Sequence, residues 1–245
     1  MARSTAALAP LSLLFLATSI LFLFFVILSG TTRVSPFRQS YFLSADTSGI
    51  SGARPVSQWT YFHICGEGNT DCSRAWPDPP VGWAWSKNPT GPNLPQKLIG
   101  TYGGGTTSYV YYYLWRFGWV LYLLALLSTV LAFFTSFLAF FGRLGSAIAG
   151  AISTVALLLL TIAASLMTAT FVKMRDQFNA AGRSAHIGVR PFAFTWAAWA
   201  LLFASTVLFC IRARTKKDRL VSRNRSARSR LSHDVGSHRV KEEYA

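Results

Sequence analysis

Four long apolar runs constrain this chain more than any other feature. They are LAPLSLLFLATSILFLFFVILSG (residues 8–30), an uncharged stretch from Phe117 to Phe141, LGSAIAGAISTVALLLLTIAASLMTATFV (residues 144–172) and PFAFTWAAWALLFASTVLFCI (residues 191–211). A bilayer core is crossed by about 20 apolar residues in a helix, and each run is long enough. Helices are required because lipid offers no partner to a backbone N–H or C=O. Only 13% of residues are charged, against roughly 25% in soluble domains. The net charge of +15 therefore does not argue for a nucleic-acid partner. The reading is an all-α integral membrane protein built on a four-helix transmembrane bundle.

Four crossings put both termini on one side. The expected layout is an inner N-terminus (1–6), first span (7–29), large outer loop (30–113), second span (114–141), tight inner turn (142–145), third span (146–172), second outer loop (173–190), fourth span (191–211) and basic, disordered inner tail (212–245). Orientation follows from the tail. RARTKKDRLVSRNRSARSR (residues 212–230) carries nine basic residues and one Asp, and such density marks the cytoplasmic flank. Loop two argues mildly the other way, with Lys173, Arg175, Arg183 and Arg190 against Asp176. The first run exceeds the roughly 7–15 apolar residues of a signal peptide and is read as a retained anchor.

That orientation decides the chemistry of WTYFHICGEGNTDC, residues 59–72. Cys65 and Cys72 fall on the oxidising side, where thiols pair. Their spacing is not C-x-x-C, and His63 is the only histidine in the loop, too few ligands for a zinc site. The expectation is a structural disulfide pinning a strand-like WTYFHIC to the segment after it, with no metal and no cofactor.

CGEGNTDC after an aromatic lead, YVYYYLWRFGWVLYLLAL (residues 109–126) with an Arg where the second span begins, and the four-span layout together resemble the fungal SUR/PalI plasma-membrane proteins, which are distant relatives of the claudin-type group. The resemblance covers residues 7–212. It implies a claudin-like outer loop carrying a small β-sheet on the helix ends. It also implies a structural role in eisosomes, the furrow-shaped plasma-membrane domains linked to membrane organisation, cell-wall integrity and endocytosis. The PalI branch implies instead an accessory of ambient-pH sensing. Partners on this reading are membrane lipids, other eisosome or cell-cortex proteins and a second copy of the chain.

Further features carry two readings each. Tyr109, Tyr111, Tyr112, Tyr113, Trp115, Trp119 and Tyr122 read as an aromatic belt at the outer interface. Arg116, among them, is either a structural latch between loop and span or a headgroup contact. Trp76, Trp83 and Trp85 in the Pro-rich AWPDPPVGWAW either pack on the sheet and headgroups or offer a surface to a partner or glycan. Gly142, Ser146, Gly150 and Thr154 form a small-residue stripe suited to packing within the bundle or to self-association. The third-span hydroxyls of Ser153, Thr154, Thr161, Ser165 and Thr168 can bond back to their own helix. GTYGGGTT (residues 100–107) lacks the lysine of a phosphate loop and reads as a flexible hinge. No span interior holds Asp, Glu, Lys or His, which argues against an ion-coupled transporter. No nucleophile and base are paired at useful spacing, so no catalysis is expected.

At the inner end, Cys210 is a candidate for S-palmitoylation, or else a small apolar residue in the packing. Arg212, Arg214, Lys216, Lys217 and Arg219 open a tail that is either a topology flank or a contact with the anionic inner leaflet. Ser222 and Ser226 are candidate phosphorylation sites that would weaken such a contact. Two Asn-x-Ser/Thr stretches differ by side: Asn88-Pro89-Thr90, blocked by its proline, and Asn224-Arg225-Ser226 on the tail.

Overall fold

The structure, a computed structural model, describes residues 2–31, 37–141, 143–212 and 214. Four helices are long and apolar enough to cross a membrane. They are α1 (Ala2–Ile27), α2 (Tyr109–Phe141), α3 (Arg143–Ala180) and α4 (Val189–Arg212). The outward-facing side chains along them, including Leu14, Leu21, Leu127, Leu131, Phe134, Leu158, Ile162 and Phe203, are exposed and apolar. Water would penalise that surface and lipid does not. The protein is a multi-pass membrane protein.

Helix lengths depart from the expected boundaries. At 1.5 Å per residue α3 is about 57 Å long, well beyond the roughly 30 Å of hydrocarbon. Residues 173–180, expected in the second loop, are helical, so α3 stands as a post beside the loop it supports. Tyr109–Leu114, expected in or beside loop one, likewise form the first turns of α2.

Four short strands cap one end of the bundle. They are β1 (Leu43–Asp46), β2 (Val56–Trp59), β3 (Ile64–Cys65) and β4 (Ala185–Ile187), antiparallel in the order β3-β2-β1-β4. Leu43 faces Trp59 on one side and Ile187 on the other. Thus the second loop supplies an edge strand to a sheet made by the first. WTYFHIC is not one strand, as expected, but the end of β2, a turn and β3. Thr60 closes the turn, its N–H donating to the carbonyl of His63 at 2.9 Å, and Trp59 pairs with Ile64.

An aromatic joint fixes the sheet to the helices. Phe42, leading into β1, stacks on Phe171 of α3 with centroids 4.9 Å apart. Trp115 of α2 meets both edge-on, and Phe192 of α4 closes the group. Trp59 and Trp85 pack on Phe178, further up α3. Such pairs contribute about 0.5–1.5 kcal/mol each beyond the area they bury.

Inside the bundle the hydroxyls do more than bond back. Thr154, Thr161, Ser165 and Thr168 do donate to carbonyls of their own helix. Ser153, however, meets Thr206 of α4 at 2.6 Å, and Thr161 accepts the indole N–H of Trp199 at 2.8 Å. Ser19 of α1 donates to the carbonyl of Ala198, and Ser205 of α4 to that of Ser12. These bonds pin α4 between α1 and α3.

Candidate functional site

The cap is where polar chemistry gathers. Cys65 and Cys72 form a disulfide, S–S 2.03 Å. The ring it closes is itself folded, with the N–H of Gly66 donating to the carbonyl of Thr70 at 2.7 Å. Asn69 sits within it at φ 55°, a left-handed conformation that Asn tolerates better than most residues. Its side chain is buried and donates to the carbonyls of Phe37 and Ser40 at 2.9 and 3.1 Å. Its own N–H donates to the Gln58 side chain at 3.0 Å. The bridge thus presents one asparagine that ties the start of the loop to β2.

The expected aromatic belt divides into two faces. Tyr111, Trp115 and Tyr122 are buried and Trp119 is half-buried; the rings of Trp115, Trp119 and Tyr122 meet Tyr61 of the cap, while the Tyr111 hydroxyl donates to the Lys173 carbonyl of α3. The indole of Trp115 donates to the carbonyl of Pro79, and that of Trp119 to the carbonyl of Tyr61. Tyr109 and Phe117 remain exposed, with Tyr112 and Tyr113 half-exposed beside them. Spacing of four residues (111, 115, 119) places these inward-facing rings on one helical stripe.

Arg116 lies at the edge of that stripe. Its Nε is 3.1 Å from Oδ2 of Asp78, and it also hydrogen-bonds and covers the ring of Tyr112. Arg116 is 51% exposed while Asp78 is 8% exposed. Asp78 stands between Pro77 and Pro79 at φ 54°, so the chain reverses there and turns its carboxylate under the loop. Burial pushes that carboxyl up to about 7, although the Arg116 guanidinium pulls the other way. Its second oxygen, Oδ1, is buried with no hydrogen-bond partner. A buried carboxylate held by one half-exposed arginine is a poised group.

The Trp-rich collar splits likewise. Trp85 is buried, its N–H donating to the carbonyl of Thr106 at 3.2 Å. Trp76 and Trp83 are exposed and lean on each other at 5.6 Å. GTYGGGTT is a built turn rather than the expected hinge. Thr106 and Thr107 are buried in it, and the Thr107 hydroxyl accepts the N–H of Gly82 at 2.9 Å. Gly103 has φ 61°, and a Cβ there would meet Pro80 at 2.5 Å.

Sequence reasoning missed Arg183, counting it only as a loop charge. It is 6% exposed and donates to the carbonyls of Asn93 (2.8 Å), Pro92 (2.6 Å), Ser48 (2.9 Å) and Asp46 (3.3 Å). One guanidinium therefore joins the second loop to two distant parts of the first. No local signal marks it, because its acceptors are backbone atoms about 90 and 135 residues away.

The opposite end of the bundle holds the remaining predicted residues. Cys210 is exposed on α4, Arg212 is buried and Arg214 exposed. Lys216, Lys217, Arg219, Ser222, Ser226 and Asn224 lie outside the described residues, as does Gly142 of the small-residue stripe. Ser146 and Gly150 of that stripe are buried, and a Cβ on Gly150 would lie 3.4 Å from Phe209 of α4. No group of three or more metal-ligating side chains occurs among the described residues. His63 is engaged with the carbonyl of Ser73 at 2.8 Å.

Known fungal proteins are similar to this chain over most of its length. The chain is 33% identical over 209 residues to "Protein SUR7" of Candida albicans, covering 80% of this chain and 73% of that one. It is 31% identical over 211 residues to "SUR7 family protein FMP45" of Saccharomyces cerevisiae, covering 83% of this chain and 65% of that one. A third similar protein, 27% identical over 213 residues, is the Saccharomyces cerevisiae "Uncharacterized plasma membrane protein YNL194C". The model of the SUR7/PalI family matches residues 8–208, nearly the whole spanning and cap region, and the chain belongs to that family.

Proposed function

We propose that this chain is a non-enzymatic organising protein of the fungal plasma membrane. It would act in eisosome-type domains linked to membrane organisation, cell-wall integrity and endocytosis. The observation that carries this reading is the construction of the cap. A disulfide, an arginine on four carbonyls and an aromatic joint hold it rigidly to the helix ends. That suits a body that presents a fixed outer surface and packs laterally. In the bundle, hydroxyls are paired with one another or with carbonyls rather than aligned along a polar path. The similar fungal proteins, one of them described as a plasma membrane protein, support the setting.

In this reading both termini are cytoplasmic and the cap faces outward, because the tail from Arg212 to Arg230 holds the densest positive charge. Arg116 latches the collar to α2 through Asp78. The tail contacts anionic lipid and other cortical proteins, and Cys210 is open to acylation. Imaging of the tagged full-length chain in living fungal cells, with and without residues 215–245, tests the proposal. Static cortical patches are expected, weakened by tail removal. A uniform, freely diffusing signal in both would contradict it.

A second reading, a PalI-type accessory of ambient-pH sensing, is favoured by one observation: Asp78 is buried in the cap with its carboxyl pushed to about 7. Loss of the alkaline response on deletion, reproduced by Asp78→Asn, would select it.

A further inference from the structure

At the tail end of the bundle a groove of about 360 Å³ runs between α3 and α4. One wall is Ser146, Ala147, Gly150, Ala151 and Thr154, and the other is Phe209, Cys210 and Arg214. Positions 146, 150 and 154 succeed one another at four-residue spacing, so the wall extends about 12 Å along the helix. It stays open because those side chains are small while Phe209 is drawn into the bundle. Thr154 spends its hydroxyl on the carbonyl of Gly150 at 2.8 Å. Among the residues lining the groove Arg214 alone is charged. It sits one turn beyond Cys210 on the same helical face, at the end where α4 leaves the membrane.

We infer that this groove binds one anionic phospholipid of the leaflet facing the basic tail, with an acyl chain along the Gly150–Thr154 wall and the phosphate on Arg214. The order of chemistry matches such a lipid: a cation where the membrane surface lies, apolar walls leading inward. A zwitterionic lipid fits the walls equally but leaves the positive field of Arg214 uncompensated. The volume lies within the usual range of about 300–1,000 Å³ for ligand clefts. The inference deepens the proposed lipid contact of the tail and rests on it for the leaflet's charge. It differs in assigning one stoichiometric site rather than a diffuse attraction.

Native mass spectrometry of the purified full-length protein, released from detergent holding equal phosphatidylserine and phosphatidylcholine, tests it. The expected result is one retained lipid, phosphatidylserine preferred. Arg214→Gln should lower that preference about fivefold, the equivalent of one basic contact near a membrane surface. Ala151→Leu should abolish retention while leaving the tail untouched, with Ala147→Leu as a second wall variant. Both alanines are exposed, so filling there spares the core, and an unchanged melting temperature confirms it. Equal retention of the two lipids would overturn the site. So would full retention by both wall variants, a covalent acyl mass on Cys210, or a dimer in place of a lipid adduct. None of these outcomes bears on whether the protein forms cortical patches.

Discussion

Tyr61 and Trp119 hold each other twice. The hydroxyl of Tyr61 donates to the backbone carbonyl of Trp119 at 2.8 Å, and the indole N–H of Trp119 donates to the carbonyl of Tyr61 at 3.2 Å. Their rings stack with centroids 5.4 Å apart. Tyr61 belongs to the β2–β3 turn and Trp119 to the third turn of α2, so the pair fastens the cap to a spanning helix. Tyr61→Phe should cost about 1 kcal/mol, the worth of one buried hydrogen bond, since the Trp119 carbonyl keeps its donor within the helix. Trp119→Phe should cost more, because packing goes with the donor. Thermal unfolding in detergent should give a coupling of about 0.5–3 kcal/mol in the double-mutant cycle. Strict additivity would mean the two residues act independently.

Arg183 should be intolerant of replacement. A lysine keeps the charge but has no planar fork to reach four carbonyls. Arg183→Lys and Arg183→Ala should both destabilise, the alanine by about 3 kcal/mol or more, since buried acceptors lose a charged donor. Wild-type melting behaviour in Arg183→Ala would remove this residue from the set that holds the cap together.

Opening the disulfide should loosen the ring that presents Asn69. Paired Cys65→Ser and Cys72→Ser should lower stability by about 2–3 kcal/mol. Asn69→Ala should reproduce part of that loss with the bridge intact, because the carbonyls of Phe37 and Ser40 each lose the amide donor of Asn69. Thiol labelling of unreduced protein should find Cys210 alone.

Asp78 gives the cap a pH dependence of definite sign. Its carboxyl is raised from 3.8 to about 7 by burial, so the folded state holds the proton more tightly than the unfolded chain does. The contribution to stability is complete below about pH 4 and is lost as pH rises through about 7. Melting temperatures should therefore fall between about pH 4 and pH 7 and level off above, and Asp78→Asn should flatten that slope. A slope unchanged in Asp78→Asn would assign the dependence to another group.

Much of the architecture was legible because lipid imposes strict rules on sequence. An uncharged run of twenty or more residues has few alternatives, and a cysteine pair in a loop read as outward is expected to bridge. The split of the aromatic belt was readable in principle, since 111, 115 and 119 share a helical face that 109 and 117 do not. The turn inside WTYFHIC was not, because Thr60–His63 contains no Gly, Pro or Asn to announce it. Arg183 was illegible for a different reason: the acceptors of its hydrogen bonds are carbonyls, which every residue has. Arg116 was visible as a charge among aromatics, but its partner Asp78 was hidden among prolines.

The role proposed for the cap depends above all on its facing the cell exterior. Asn88 is exposed on it, and Pro89 alone blocks its glycosylation sequence. Expression of Pro89→Ala in fungal cells, followed by endoglycosidase treatment and gel mobility, tests the orientation directly. Glycan on Asn88 with none on Asn224 is the predicted result; glycan on Asn224 with Asn88 bare would turn the molecule over in the membrane.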